Sequence, residues 1–99
     1  MVFQESETVE LKEVVVDDIR KEIIAFANCD GGKLYIGVRD DGTVVGVDNP
    51  DRTALQIGNM ARDAIKPDIT MFMHYGTIEE SGKRLLQLTF REEQIALII

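Results

Sequence analysis

Lys33-Leu34-Tyr35-Ile36-Gly37-Val38 is followed by Arg39-Asp40-Asp41-Gly42 and then by Thr43-Val44-Val45-Gly46-Val47. Leu34, Ile36 and Val38 recur at every second position, the period of a strand with one buried face. Asp41-Gly42 is a strong hairpin signal, because both residues tolerate the left-handed conformations that a tight turn between strands requires. The stretch therefore predicts two strands, 33–38 and 43–47, joined at Asp41-Gly42. A hairpin at this point commits the chain to a sheet and leaves the flanking helical patterns to cover it.

Upstream, Val9 and Leu11 alternate with Glu10 and Lys12, a second half-buried strand. Asp17 or Asp18 can cap a helix, with carboxylates near its positive end. Ile19, Ile23, Phe26 and Ala27 then share one helical face, and Gly31-Gly32 stops the helix. Downstream, Asn49-Pro50 suits the cap and first position of another helix. It extends to about Ile65, before Pro67 forbids continuation, with Ala54, Gly58, Ala61 and Ile65 on one face. Two further strands are predicted at 70–78 and 84–91 around a turn at Glu80-Ser81-Gly82, with Leu86, Leu88 and Phe90 facing one way and Gln87, Thr89 and Arg91 the other. The predicted order is β-α-β-β-α-β-β. That is an α+β domain with a mostly antiparallel or mixed sheet and two helices packed on one face.

At 99 residues the chain fits one domain, 1–99. Its charge constrains its partners: 18 acidic against 11 basic residues give a net charge of −7. A domain that neutralises phosphates normally presents a basic face. Contact with DNA or RNA here requires a local basic patch, a metal bridging carboxylates to phosphate, or a partner. Cys29 is the single cysteine, so no disulfide forms within the chain. The opening residues lack the basic start and apolar core of a signal peptide, and no apolar run reaches membrane-spanning length, which predicts a cytoplasmic, non-membrane protein. The apolar run 95–99 is expected to pair within the sheet or with a second subunit, unless the chain is a fragment.

Three pieces in order carry a family resemblance. They are Glu5-Ser6-Glu7-Thr8-Val9-Glu10-Leu11-Lys12; Ala25-Phe26-Ala27-Asn28-Cys29-Asp30-Gly31-Gly32; and the segment from Leu34 through Asp40-Asp41-Gly42 to Val45-Gly46-Val47. Together they resemble the Schlafen AlbA-like domain family. The resemblance implies a fold related to the archaeal chromatin protein Alba and a role as a nucleic-acid-binding module of bacterial-type transcriptional regulators, with homodimerisation. It also implies an alternative, since mammalian Schlafen proteins built on related domains include RNA endonucleases that use a carboxylate trio and a divalent metal. Carried over, the trio is Glu5, Glu10 and Asp40; Asp40 is preferred to Asp41, which precedes the glycine of the turn. Family members usually continue into aromatic and basic segments that are not found before Ile99, so the AlbA-like domain is expected to lack that C-terminal part.

The residues themselves weigh these readings. In a continuous strand Glu5 and Glu10 point to opposite faces, so a shared Mg²⁺ or Mn²⁺ requires the chain to bend between Ser6 and Thr8 and Asp40 to approach from the hairpin. The plain reading leaves them as solvated acids, and no cofactor is then expected. Lys12, Arg20, Lys33 and Arg39 are the candidate phosphate contacts, though Lys12 sits two residues from Glu10 and an ordinary ion pair explains both. Gly31, Gly32 and Gly37 do not make a phosphate loop: a helix precedes the glycines, a strand follows, and Lys33 is not followed by a hydroxyl residue. ATP is therefore not a partner. A third reading is a dimerisation or interaction module whose acidic surface repels nucleic acid. All three functional readings share one premise, that the opening acidic strand lies beside the hairpin.

Overall fold

The computed structural model describes residues 3–16, 18–27, 31–64 and 73–90. Within them the chain forms β1 (Val9–Lys12), α1 (Ile19–Ala27), β2 (Gly32–Ile36), α2 (Pro50–Ala64), β3 (Met73–Glu80) and β4 (Lys83–Phe90). Asp17, Asn28, Cys29, Ile65, Met71, Phe72, Arg91 and the run 95–99 lie outside the described residues.

The strands make one mixed sheet in the order β1-β2-β4-β3. β1 and β2 are parallel, with Val9 level with Lys33 and Lys12 level with Ile36. Parallel neighbours need a crossover, and α1 supplies it. β4 lies antiparallel to β2 on one side, Leu34 opposite Leu88, and antiparallel to β3 on the other. The β3–β4 hairpin closes through Ser81 and Gly82, with φ of 54° and 77°. Two consecutive left-handed residues match the twist of the flanking strands.

Local chemistry explains the helix starts. Asn49 Oδ1 accepts from the Arg52 N–H at 3.1 Å and the Asn49 carbonyl accepts from the Thr53 N–H, so the predicted cap with Pro50 at the first position is formed. α1 begins directly after Asp18, whose carbonyl accepts from the Lys21 N–H.

The expected strand at 43–47 is the main correction. Val44 makes a single bridge to Val38 and the Val47 N–H donates to the Arg84 carbonyl of β4 at 2.8 Å, but the segment forms no strand. The physical reason is that both edges of β2 are already taken, by β1 and by β4. The turn itself forms where predicted, with the Gly42 N–H donating to the Arg39 carbonyl and the Arg39 N–H to the Thr43 carbonyl. Gly37, at φ +103°, then leaves the sheet, and its one carbonyl accepts from both Val45 N–H and Gly46 N–H. Two donors on one acceptor bend the chain like a bulge. A Cβ on Gly37 would stand 3.0 Å from the Gly46 carbonyl carbon, so this close approach needs glycine.

Apolar side chains cover both faces of the sheet. Ile19, Ile23 and Phe26 of α1 and Ile57 and Ala61 of α2 pack on Leu34, Ile36, Met73, Leu86, Leu88 and Phe90. Both helices thus lie on one face, as predicted. On the opposite face Phe3, Leu11, Tyr35, Val38 and Leu85 form a smaller cluster, in which the Phe3 and Tyr35 rings meet edge to face at 5.0 Å. Among the described residues no helix is long and apolar enough to cross a membrane.

Candidate functional site

The opening acidic element does not run straight. The Ser6 N–H donates to the Val9 carbonyl at 3.0 Å and the Val9 N–H donates back at 3.4 Å, closing a reverse turn over Glu7 and Thr8. The Thr8 N–H also donates to Ser6 Oγ at 3.2 Å, the local bonding for which serine is favoured in turns. The chain reverses here and residues before Ser6 double back along β1. Glu5 Oε2 consequently accepts from the Leu11 N–H at 3.3 Å. Strand alternation would have put Glu5 and Glu10 on opposite faces; the turn between Ser6 and Thr8 cancels it and brings the two carboxyl groups into hydrogen-bond contact.

That contact changes the chemistry of Glu10. Its pKa is raised to about 7, first by burial, then by the hydrogen bond with Glu5 and by the charges of Glu22 and Glu5, against the pull of Lys12. Lys12 Nζ stands 3.8 Å from Glu10 Oε2. Like-charged carboxylates sharing a partly buried spot hold a proton that separated carboxylates would release. Near pH 7 Glu10 is therefore about half protonated. Glu22 was not singled out from sequence. It lies on α1 between the core positions Ile19 and Ile23, and only the crossover of α1 over the β1–β2 pair sets its charge near Glu10.

The hairpin adjoins this element. The Lys12 carbonyl accepts from the Gly37 N–H at 2.8 Å and from the Val38 N–H at 3.1 Å. A Cβ on Gly42 would fall 2.5 Å from the Phe3 carbonyl oxygen, so the turn tip rests on the doubled-back segment. Arg39 Nε reaches Glu13 Oε1 at 3.7 Å. Asp41 Oδ1 accepts from the Thr43 N–H at 2.9 Å, and the hydrogen bonds from Thr43 hold its carboxyl below the usual range. The premise that the acidic strand and the hairpin lie side by side therefore holds.

The predicted residues are only partly gathered. Glu5 and Glu10 meet. Asp40 is exposed on the hairpin, where it shares a hollow with Glu13, Arg39 and Asp41. Among the described residues no three His, Cys, Asp or Glu side chains are grouped so as to hold a metal ion. The cations do not share one surface either. Lys12 is level with Ile36 and so points to the helix side of the sheet, whereas Lys33, level with Val9 and Thr89, points away from it. Arg20 is exposed on α1, and Arg39 lies beyond the end of β2.

A model of the protein family described as Schlafen, AlbA_2 matches residues 5–97, nearly the whole chain. No curated protein matches it.

Proposed function

The chain belongs to the Schlafen, AlbA_2 family, and from that premise we propose that it is a nucleic-acid-binding module of a transcriptional regulator. The observation that supports this is the edge shared by β1 and the hairpin, where Lys12 and Arg39 are held by Glu10 and Glu13 at only 3.8 and 3.7 Å, in side chains partly open to water. Pairs this long and wet contribute about 0–1 kcal/mol, so a phosphate can replace the carboxylate partner at little cost. The acid excess sets the character of binding: weak, and steeply dependent on salt through counterion release. Fluorescence anisotropy with labelled DNA and RNA across a salt series tests it. The expected result is an affinity that falls linearly with salt on logarithmic axes; no binding to either polymer at low salt sinks the reading.

The Glu5–Glu10 contact favours a second reading, a divalent-metal-dependent endoribonuclease of the Schlafen type. Two carboxylates facing each other across one proton offer the hard oxygen donors that Mg²⁺ or Mn²⁺ prefers, and the ion would displace that proton. Glu5 and Glu10 would hold it, and the ion would supply Lewis-acid activation of a phosphodiester. Asp40 stands apart from the pair. Mn²⁺-dependent RNA cleavage that Glu10→Gln abolishes is the expected outcome under this reading, and cleavage that survives the substitution removes it.

A further inference from the structure

The obstacle to phosphate binding is the excess of acid, so the useful question is where acid is missing. The hollow beside the first turn of α2 includes Glu13 and Asp48. The one at the start of β4 includes Asp48 and Glu79, and the one at the hairpin Glu13, Asp40 and Asp41. A fourth hollow, shaped by Thr8, Lys33, Tyr35 and Thr89, contains one cation and no carboxylate.

The sheet register explains this composition. On the face turned from the helices, Val9, Lys33, Thr89 and His74 form one row across the four strands, and Leu11, Tyr35, Gln87 and Gly76 form the next. Neither row includes an acidic position. Lys33 is exposed and, among the described residues, makes no ion pair. Gln87 Nε2 donates to Thr89 Oγ1 at 3.4 Å, which engages a lone pair of that hydroxyl and leaves its proton to donate elsewhere. Burial pushes the Tyr35 phenol up, so it stays a neutral donor. A Cβ built on Gly76 would meet nothing within 4 Å, so the strip beside Gln87 is open above the strand.

We propose that this hollow seats a phosphodiester of single-stranded nucleic acid, with Lys33 opposing the phosphate charge, Thr89 and Thr8 donating hydrogen bonds, and the strip over Gln87 and Gly76 carrying the adjoining nucleotide. The proposal rests on the nucleic-acid-binding reading and names where that binding is anchored. The hollow is shallow and has no element that enters a duplex groove, whereas sheet faces suit splayed single strands. Unlike Lys12 and Arg39, Lys33 gives up no carboxylate partner when it meets a phosphate.

The test is anisotropy with labelled oligo-uridine and oligo-thymidine at low salt, on the wild-type chain and on Lys33→Ala, Lys33→Glu, Thr89→Val and Lys21→Ala, an exposed cation of α1 on the other side of the sheet, with circular dichroism to confirm folding. Loss of a charge-assisted contact predicts binding weaker by about tenfold in Lys33→Ala, a salt slope shallower by about one, and a larger loss in Lys33→Glu. Thr89→Val is expected to lose less, and Lys21→Ala to bind as the wild type does. Wild-type binding that both Lys33 variants retain overturns this inference and leaves the nucleic-acid reading intact. No wild-type binding to either oligonucleotide overturns both. A response confined to oligo-uridine or to oligo-thymidine, and lost in the Lys33 variants, supports the site and shows which of the two polymers it takes.

Discussion

The two apolar clusters of the sheet differ in who builds them. The helix-side cluster draws on both helices and on β2, β3 and β4, with Ile19, Ile23, Leu34, Ile36, Ile57 and Leu88 fully buried. The opposite cluster has five buried members, and one of them, Phe3, comes from a segment held by a two-residue turn and a few backbone contacts. Fixed helices and strands wall in the first cluster, whereas the second depends on a strap. Yet the strap carries Glu5, so the smaller cluster positions the one carboxylate contact that the family pattern predicts. The division places most of the stability in the helix-side cluster, while the strap packed on the smaller cluster supplies Glu5 to a Glu10 that lies level with Leu34.

The sharpest way to break this division is to damage the larger cluster. Leu88 is fully buried between β2 and β3 beneath the helices. Leu88→Ala leaves a cavity that rigid neighbours on all sides cannot fill, and is expected to cost about 4 kcal/mol. Urea unfolding should show a lower midpoint by every probe at once, because no separate unit holds the site if this core fails.

Phe3→Ala attacks the smaller cluster. The strap can relax into the space left behind, so the expected cost is about 3 kcal/mol, the low end for truncating a buried phenylalanine. The diagnostic effect is on Glu10. Without the Phe3–Tyr35 contact the doubled-back segment loosens, Glu5 withdraws, and the Glu10 pKa falls from about 7 toward the ordinary carboxylate range. Carbon-detected NMR titration of the side-chain carboxyls reads this directly. An unchanged Glu10 titration in Phe3→Ala would show that the strap does not set the pair's geometry.

These contrasts also separate what was legible in the sequence from what was not. The α2 start at Asn49-Pro50, the Asp41-Gly42 turn and the alternation of Leu86, Leu88 and Phe90 are local signals, and each forms as the spacing indicates. The fate of 43–47 was not legible. Its strand-like composition is real, but the edge of β2 it would have used goes to β4, some fifty residues downstream of β2, and local pattern does not encode which of two segments wins an edge. The Glu5–Glu10 contact was half legible. Alternation argues against it, and the need for a bend between Ser6 and Thr8 can be stated from spacing alone. Whether the bend occurs depends on backbone bonds in a Ser-Glu-Thr-Val stretch that lacks glycine and proline. The acid-free row around Lys33 was illegible for the same reason, since it exists only once β1, β2, β4 and β3 are in register.

A gentler probe of the strap is pH. The folded Glu10 pKa, about 7, lies above the ordinary carboxylate value of 4.5, so the folded state favours the protonated form. The contribution is fully present below pH 4.5, declines as pH rises, and is lost once pH passes about 7. Stability should therefore fall between about pH 4.5 and 7 and level off above that range. Glu10→Gln, which stays neutral, should abolish that part of the pH dependence in urea midpoints. A wild-type profile that is flat across the interval, or one that Glu10→Gln leaves unchanged, would mean that the two glutamates do not share a proton.

The smallest expected effect is at the hairpin. Arg39 and Glu13 are each about half exposed, 55% and 50%, and stand 3.7 Å apart. An exposed pair at that distance contributes about 0.2–1 kcal/mol at most, reduced further by salt. Arg39→Ala should therefore shift the urea midpoint barely beyond error, and the shift should vanish at high salt. That near-silence is what makes the variant informative. Leu88→Ala and Phe3→Ala change folding and site together, so a binding defect in either has two explanations. Arg39→Ala leaves both clusters intact, and any loss of nucleic-acid affinity it produces belongs to the hairpin edge. If affinity is untouched by Arg39→Ala but drops with Lys33→Ala, binding is anchored on the sheet face and the hairpin cation serves only Glu13.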